Sequence, residues 1–303
     1  MKTRQVRALA LLTCLLSLMV VGVSAYLRLS GAGLGCADWP GCYGRILSGV
    51  PHAPWEGARL VHRIVATLAL LAGILLVWRC WRPQPLQPAA RYATLLLALM
   101  LFLSIVGVWS SDPRMAAVNF INLIGGLGLV TFSWRVAITS EPSRWVVRGA
   151  GGPFCRLALA MLTLTVLLGG LIGARYAAPA CGSLPACEGA WWPALQGWSA
   201  LHPFATLAGP AGPGEAGGVA LHLLHRYAAV LAALLLAIVA LRLRGVPRAR
   251  NAAAVVLTLL LLEGLVGVLT VASGFSLWLG VAHNVGAALL LAAAASLMHS
   301  VSQ

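Results

Sequence analysis

Charged side chains are scarce in this sequence, and acidic ones are the scarcest. Only 9% of the 303 residues are charged, and Asp and Glu together number seven, against 21 Lys and Arg. A soluble globular domain has roughly 25% charged residues. This shortage, together with a hydrophobic content of 60%, excludes an ordinary soluble protein.

The apolar residues form eight long runs instead of alternating with polar residues. Each run holds roughly twenty mostly apolar residues, the length of a helix that crosses about 30 Å of hydrocarbon. We therefore predict an all-α integral membrane protein with eight transmembrane helices. The first run follows a basic start, as a signal peptide would, but it is longer than a usual signal core and has a counterpart in run five. The runs lie near 8–27, 60–78, 93–111, 115–134, 155–174, 218–241, 252–272 and 279–298.

The net charge of +14 suggests a nucleic-acid-binding protein, but the positions of the basic residues argue against one. By the positive-inside rule the side that carries most of them is cytoplasmic. Both termini are then cytoplasmic, and the long loops at 28–59 and 175–217 lie on the outer face. The composition favours a bacterial plasma membrane, with the lipid bilayer rather than a polynucleotide as partner. The basic residues on the one side are Lys2, Arg4, Arg7, Arg79, Arg82, Arg91, Arg135, Arg144, Arg148, Arg156, Arg242, Arg244, Arg248 and Arg250.

The sequence repeats itself across its two halves. Because four helices per half is an even number, the halves insert in the same orientation, as parallel repeats. We predict two pseudo-symmetric four-helix bundles, 1–140 and 157–303, joined by a cytoplasmic linker at 141–156. The repeated features are the cysteine pairs Cys36/Cys42 and Cys181/Cys187, the His-Arg pairs at 62–63 and 225–226, Val-Gly-Val at 106–108 and 266–268, and small-residue stretches at 122–126 and 283–287.

The cysteine pairs lie in the two outer loops, where an oxidising compartment makes disulfides chemically reasonable. A metal site and free thiols are the alternatives. A metal ion needs more ligands nearby, and the first loop offers only His52. The other cysteines are interpreted as small apolar residues of the helices: Cys14, Cys80 and Cys155.

Three of the seven histidines, His62, His225 and His283, lie a few residues inside the outer ends of apolar runs. An ionisable residue at that depth is costly and faces the bundle interior by default. His225 and His283 lie at one depth on runs six and eight, so their imidazoles could clamp a planar macrocycle from both sides. The alternative is a pair of structural histidines that hydrogen-bond across helices. The histidines of the outer loops, His52 and His202, are interpreted as solvated. His299, at the cytoplasmic end, is interpreted as incidental.

Residues beside these two histidines bear on the same site. Gly286 follows His283 by three residues and shares its helical face, where its missing side chain would leave room for a ring. Arg226 directly follows His225 and is placed to meet carboxylates such as haem propionates. His222, one turn before His225, either steadies a ligand or propionate or is a polar residue at the mouth of the helix.

An acidic residue, Glu263, lies inside run seven, and the repeat places Leu103 opposite it. A membrane-buried carboxylate is a functional candidate by default. It could pair with a polar group near a haem, relay protons, or be a neutral, hydrogen-bonded core residue.

Together these residues resemble the haem A synthases, the cytochrome oxidase assembly enzymes of bacteria and mitochondria. The resemblance covers almost the whole chain. It implies a haem b held by His225 and His283 in the second half, and disulfides in both outer loops. It implies that the first half receives haem O from its synthase and, with an external electron donor, oxidises a ring methyl to a formyl group, giving haem A. Its strongest pieces are 31–42, the two His-Arg pairs, 282–284 and 191–193.

The first half departs from this family at two positions. Three residues before His62, where the family has a glutamate, stands Arg59. The second histidine position, in run four, is Asn122, which the internal repeat also aligns with His283. Glu56 lies six residues before His62, off the same helical face, and we do not assume that it substitutes.

Two interpretations follow. In one, the first half binds substrate haem through His62 alone, opposite Asn122, and the open axial position suits oxygen activation. In the other, this site is degenerate, and the chain is a non-catalytic b-type haem protein for electron transfer or oxidase assembly. We favour the enzyme because the rest of the pattern is intact. A transporter is a third class that uses parallel repeats, but the runs lack the interrupted midplane helices of that class.

Overall fold

Helices make up almost all of the chain that the structure, a computed structural model, describes: residues 2–31, 53–107, 115–140, 152–204 and 211–300. Within these residues there is no β-strand. The α-helices are α1 (Lys2–Gly31), α2 (Ala53–Trp81), α3 (Ala89–Val106), α4 (Ala116–Thr139), α5 (Pro153–Ala174), α6 (Ala216–Leu243), α7 (Arg250–Ala272) and α8 (Leu277–His299). Two short 3₁₀ helices, Ala178–Ala180 and Leu195–Leu201, lie between α5 and α6.

All eight α-helices are long and apolar enough to cross a membrane. The eight predicted runs are therefore confirmed, and the protein is an all-α, multi-pass membrane protein. The bounds differ most at the beginning of α2, which starts at Ala53 and not near 60. Large apolar side chains such as Leu261, which is 77% exposed, point away from the helix contacts, as a hydrocarbon solvent allows.

Helix contacts follow the two halves. In the first, α1 packs against α2 and α4, and α3 also packs against α2 and α4, so the four helices close a ring. In the second, α5 packs on α6, α6 on α7, and α7 on α8. Helix α8 also packs against α1 and α4, which joins the halves. Small buried residues, including Ala158, Ala240 and Ala294, let the helices of the second half approach closely.

One side-chain contact occurs in both halves at positions that the repeat aligns. Between α3 and α4, Leu103 fills the space beside Gly125; between α7 and α8, the carboxyl group of Glu263 fills the space beside Gly286. The shared contact supports the alignment that places Asn122 opposite His283. It also supports the prediction of two pseudo-symmetric bundles.

The segment between α5 and α6 carries a disulfide. Cys181 and Cys187 are bonded, as predicted, and both are buried against Val219 and Leu223 of α6. We refer to this end of the second half as the cysteine-loop end. The first pair, Cys36 and Cys42, lies outside the described residues, as does His52. The thiols of the three other cysteines lie within helices, as expected: Cys14, Cys80 and Cys155.

Helix α6 begins at the cysteine-loop end with a side-chain cap. The carboxylate of Glu215 accepts hydrogen bonds from the backbone N–H groups of Gly217, at 2.9 Å, and Gly218, at 2.6 Å. An acidic cap satisfies N–H groups that the first helical turn leaves without partners. The cap fixes where α6 starts and therefore the depth at which His225 lies.

Candidate functional site

The imidazoles of His225 on α6 and His283 on α8 lie together near the cysteine-loop end. Their ring centroids are 6.3 Å apart, and the ring planes are at 87° to each other. Two imidazoles that hold one metal ion from opposite sides, through bonds of about 2 Å, have ring centres about 6 Å apart. The structure brings together the two histidines that the sequence singled out, at a separation that fits a shared metal ion.

The ring of His225 is anchored to α5. Its Nδ1 lies 2.9 Å from the backbone carbonyl oxygen of Thr165. The ring rests on Gly169, where an added Cβ would lie 2.9 Å from the ring carbon Cε1. Because Gly169 is one turn after Thr165, its missing side chain opens the path to that carbonyl. A carbonyl acceptor places the proton on Nδ1 and leaves the lone pair of Nε2 for a metal.

The ring of His283 is held from α7 by residues with the same spacing. Its Nδ1 lies 3.1 Å from Oε1 of Glu263. The ring rests on Gly267, where an added Cβ would lie 3.2 Å from Cε1. The two atoms touch without the alignment of a hydrogen bond, and among the described residues neither has another hydrogen-bond partner. Again Nδ1 faces an acceptor, and Nε2 is the nitrogen that remains.

These two imidazoles fit the axial ligands of a haem. A bare metal ion in a protein typically takes about four ligands, whereas a haem iron receives its other ligands from the porphyrin and needs only axial ones. An acceptor at the second ring nitrogen is the usual arrangement for a metal-bound histidine. His225 has one in the Thr165 carbonyl, and Nδ1 of His283 lies 3.1 Å from the carboxyl oxygen of Glu263 without a hydrogen bond to it.

The space beside Gly286 corrects one expectation. We expected the missing side chain to leave room for a porphyrin. Instead the carboxyl group of Glu263 occupies that space, because the acidic side chain passes Gly286 on its way to His283. The glycine makes room for a residue of this chain.

Arg226 contacts the disulfide loop. Its guanidinium donates hydrogen bonds to the backbone carbonyl oxygens of Ser183 (2.9 Å), Pro185 (3.0 Å) and Ala186 (3.3 Å). The residue after His225 thus attaches the loop between Cys181 and Cys187 to α6. Its contact with a haem propionate stays a prediction.

His222 is buried at the cysteine-loop end. Its Nε2 lies 3.1 Å from the carbonyl oxygen of Ala177, and its ring packs against Phe275 with 6.1 Å between centroids. These contacts connect the start of α6 with the segments that follow α5 and α7. A role in steadying a haem ligand stays a prediction.

In the first half, His62 is half-buried near the beginning of α2, and Arg59, one turn earlier, is exposed. Asn122 is half-buried in α4. Among the described residues, a Cβ added to Gly107, the repeat counterpart of Gly267, would meet no atom within 4 Å. At the positions aligned with His283 and Glu263, the first half has the amide of Asn122 in place of the imidazole and Leu103 in place of the carboxyl group.

Sequence reasoning missed the residues that hold the two rings. Gly267 had a signal, since its Val-Gly-Val stretch recurs in both halves, but the repeat does not reveal what the glycine contacts. Thr165 had none, because it contributes a backbone carbonyl that every residue carries.

Comparison with known proteins places the chain in a family. A model of the cytochrome oxidase assembly protein family matches residues 7–58 and 112–295. A protein of Shewanella oneidensis named haem A synthase is 32% identical over 310 residues, which cover 92% of each chain. The chain belongs to the haem A synthase family.

Two further relatives carry the same name. The haem A synthase of Sphingopyxis alaskensis is 26% identical over 340 residues, 95% of this chain and 90% of the relative. That of Novosphingobium aromaticivorans is 31% identical over 261 residues, 79% of this chain and 69% of the relative.

The family match has a gap in the first half. It leaves out residues 59–111, which contain most of α2 and all of α3. Arg59, His62 and Leu103 lie in this gap, whereas Asn122 lies in the matched part. The match to the family model therefore stops just before Arg59 and resumes at residue 112.

Proposed function

We propose that this chain is a haem A synthase, a membrane oxidoreductase that oxidises a ring methyl of haem O to a formyl group. Membership of the family and a relative of that name along nearly the whole chain support the reaction. The observation that carries the proposal on this chain is the adjacent pair of His225 and His283, 6.3 Å apart between ring centroids.

The second half then holds a haem b through His225 and His283. A haem with two histidine ligands supplies one-electron transfer. The Thr165 carbonyl keeps the proton of His225 on Nδ1, which directs Nε2 to the iron. Arg226 and His222 lie on the same helix at the same end, where a cation and a hydrogen-bonding ring suit propionate groups.

The first half then receives haem O as its substrate. His62 supplies one axial imidazole, and Asn122, which has none, leaves the opposite axial position open. An open axial position suits oxygen activation better than two histidine ligands do. Arg59 puts a cation where the family has a carboxylate, so proton transfer at this site falls to another group.

We infer a bacterial plasma membrane location with both termini in the cytoplasm and the cysteine loops outside. The basic residues at the ends of α2, α4 and α6 that lie away from the disulfide support this orientation. The units are the bundles 1–140 and 157–303, joined by the linker 141–156. The partners are a haem O synthase, an electron donor and the lipid bilayer.

Co-expression with a haem O synthase, in a bacterium that makes no haem A, tests this function. Extracted pigment should contain haem A, identified by its mass and its formyl absorption. His62→Ala should abolish haem A and leave the bound haem b. A haem b spectrum without any haem A in the unmodified chain would overturn the enzyme and indicate the non-catalytic b-type haem protein.

A further inference from the structure

Glu263 lies half-buried within an apolar helix. Its side chain is 15% exposed, inside a helix that crosses the membrane. A carboxyl group at such a depth is costly unless another group compensates it. The polar atom beside it is Nδ1 of His283, 3.1 Å from Oε1.

The rings of the two candidate ligands, His225 and His283, are placed in the same way but against different acceptors. His225 rests on Gly169 and meets the carbonyl of Thr165; His283 rests on Gly267 and meets the carboxyl group of Glu263. In both cases the acceptor lies one turn before the glycine on the preceding helix. On α5 the acceptor is a neutral backbone carbonyl, and on α7 it is a carboxyl group.

The first half provides an internal comparison. Leu103 takes the place of Glu263, packs beside Gly125 as Glu263 packs beside Gly286, and faces a helix that carries Asn122 in place of His283. The helix pair therefore packs in this way without an acid. The carboxyl group is present where the facing helix carries His283 and absent where the facing helix carries Asn122 at the aligned position.

We propose that Glu263 is the positioning residue of His283. Its carboxyl group accepts the Nδ1–H of the ring, fixes the tautomer that presents Nε2 to the iron, and increases electron donation by that ligand. The proposal rests on the haem b site proposed above.

The two axial ligands are therefore unequal. The ligand held by a carboxyl group stabilises the oxidised iron more than the one held by a carbonyl, so Glu263 lowers the reduction potential of the haem. A residue that served only to pack α7 against α8 would leave that potential unchanged.

The test uses the full chain and the variants Glu263→Gln, Glu263→Leu and Leu262→Ala. Leu262 is the lipid-exposed neighbour on α7 and controls for disturbance of the helix. Haem b per chain, the reduction potential and the electron paramagnetic resonance spectrum of the oxidised haem are measured. Glu263→Gln should retain haem and shift the reduction equilibrium at least tenfold toward the reduced form, about 59 mV for one electron.

Glu263→Leu should shift the equilibrium in the same direction and weaken haem retention by about 10- to 100-fold, while Leu262→Ala should match the unmodified chain. If Glu263→Leu does not fold, the isosteric Glu263→Gln decides. Full haem content with an unchanged potential and spectrum in Glu263→Gln overturns the positioning role and leaves the haem site standing. A shifted potential in a chain that makes no haem A supports the role and overturns only the enzyme. An unmodified chain without haem b overturns both the positioning role of Glu263 and the proposed haem b site.

Discussion

The guanidinium of Arg28 on α1 donates a hydrogen bond of 2.9 Å to the side-chain oxygen of Asn284 on α8. Asn284 directly follows His283, and its own amide group donates to the carbonyl of Gly280 at 2.8 Å. The Nε of Arg28 is buried without a hydrogen-bond partner among the described residues. A cation of the first half is thus compensated by the residue next to a candidate ligand of the second.

Asn284→Leu should destabilise the protein by about 1.5–3 kcal/mol, since it leaves a buried guanidinium without its acceptor. Arg28→Leu in the same chain removes that charge and should restore part of the loss, with a coupling of about 0.5–3 kcal/mol. Thermal loss of the haem absorbance in detergent measures both. Additive losses in the double variant would show that the two residues do not depend on each other.

Gly267→Ala should displace the ring of His283 and reduce bound haem b, because the added methyl group would lie 3.2 Å from Cε1. Overpacking of this kind costs about 1–3 kcal/mol. Gly264→Ala on the same helix is the matched control, since its Cβ would meet no atom of the described chain within 4 Å. The haem-to-protein ratio after purification distinguishes the two variants. Equal ratios would contradict the role of Gly267 in placing the ring of His283.

Arg226→Lys should loosen the disulfide loop. An ammonium group lacks the planar fork that reaches three carbonyls, and a hydrogen bond to a charged group is worth about 1.5–3 kcal/mol. We expect the Cys181–Cys187 bond to be reduced severalfold faster by dithiothreitol, as followed by alkylation and mass spectrometry. Arg242→Lys, at the opposite end of α6 over the ring of Phe154, is the control. Identical rates for both variants would rule out the attachment.

Asn122→His should install the missing imidazole of the first half. The expected result is a substrate haem with both axial positions filled, a stronger low-spin absorption and a lower yield of haem A, because the open position is closed. Asn122→Gln retains an amide and should change neither the spectrum nor the coordination. Unchanged haem content and coordination in Asn122→His would count against a pocket in this half.

The helices could be predicted closely from the sequence, because the thickness of a bilayer dictates the length of an apolar run. The helices that carry His225 and His283 followed from the same runs, and the bond between Cys181 and Cys187 from their spacing and compartment. Each of these features depends on residues that are near in sequence, which is why pattern alone was sufficient.

The contacts around the two rings depend on helix register and were not predictable. The sequence left three roles open for Glu263, because its partner, His283, lies on another helix and meets it only in one rotation of α7 against α8. The same register assigned the space beside Gly286 to the carboxyl group and not to a porphyrin. Arg226 was expected near propionates, but only the folded loop shows its carbonyl partners.

Helix α8 packs against α1, α4 and α7, and it is translated after the other seven helices that the structure describes. A chain still being synthesised therefore carries His225 without His283, and iron cannot be gripped on both faces until α8 has docked. For the proposed site, cofactor loading becomes a closing step of biogenesis. Bound haem would then indicate that a molecule has inserted into the bilayer through to α8.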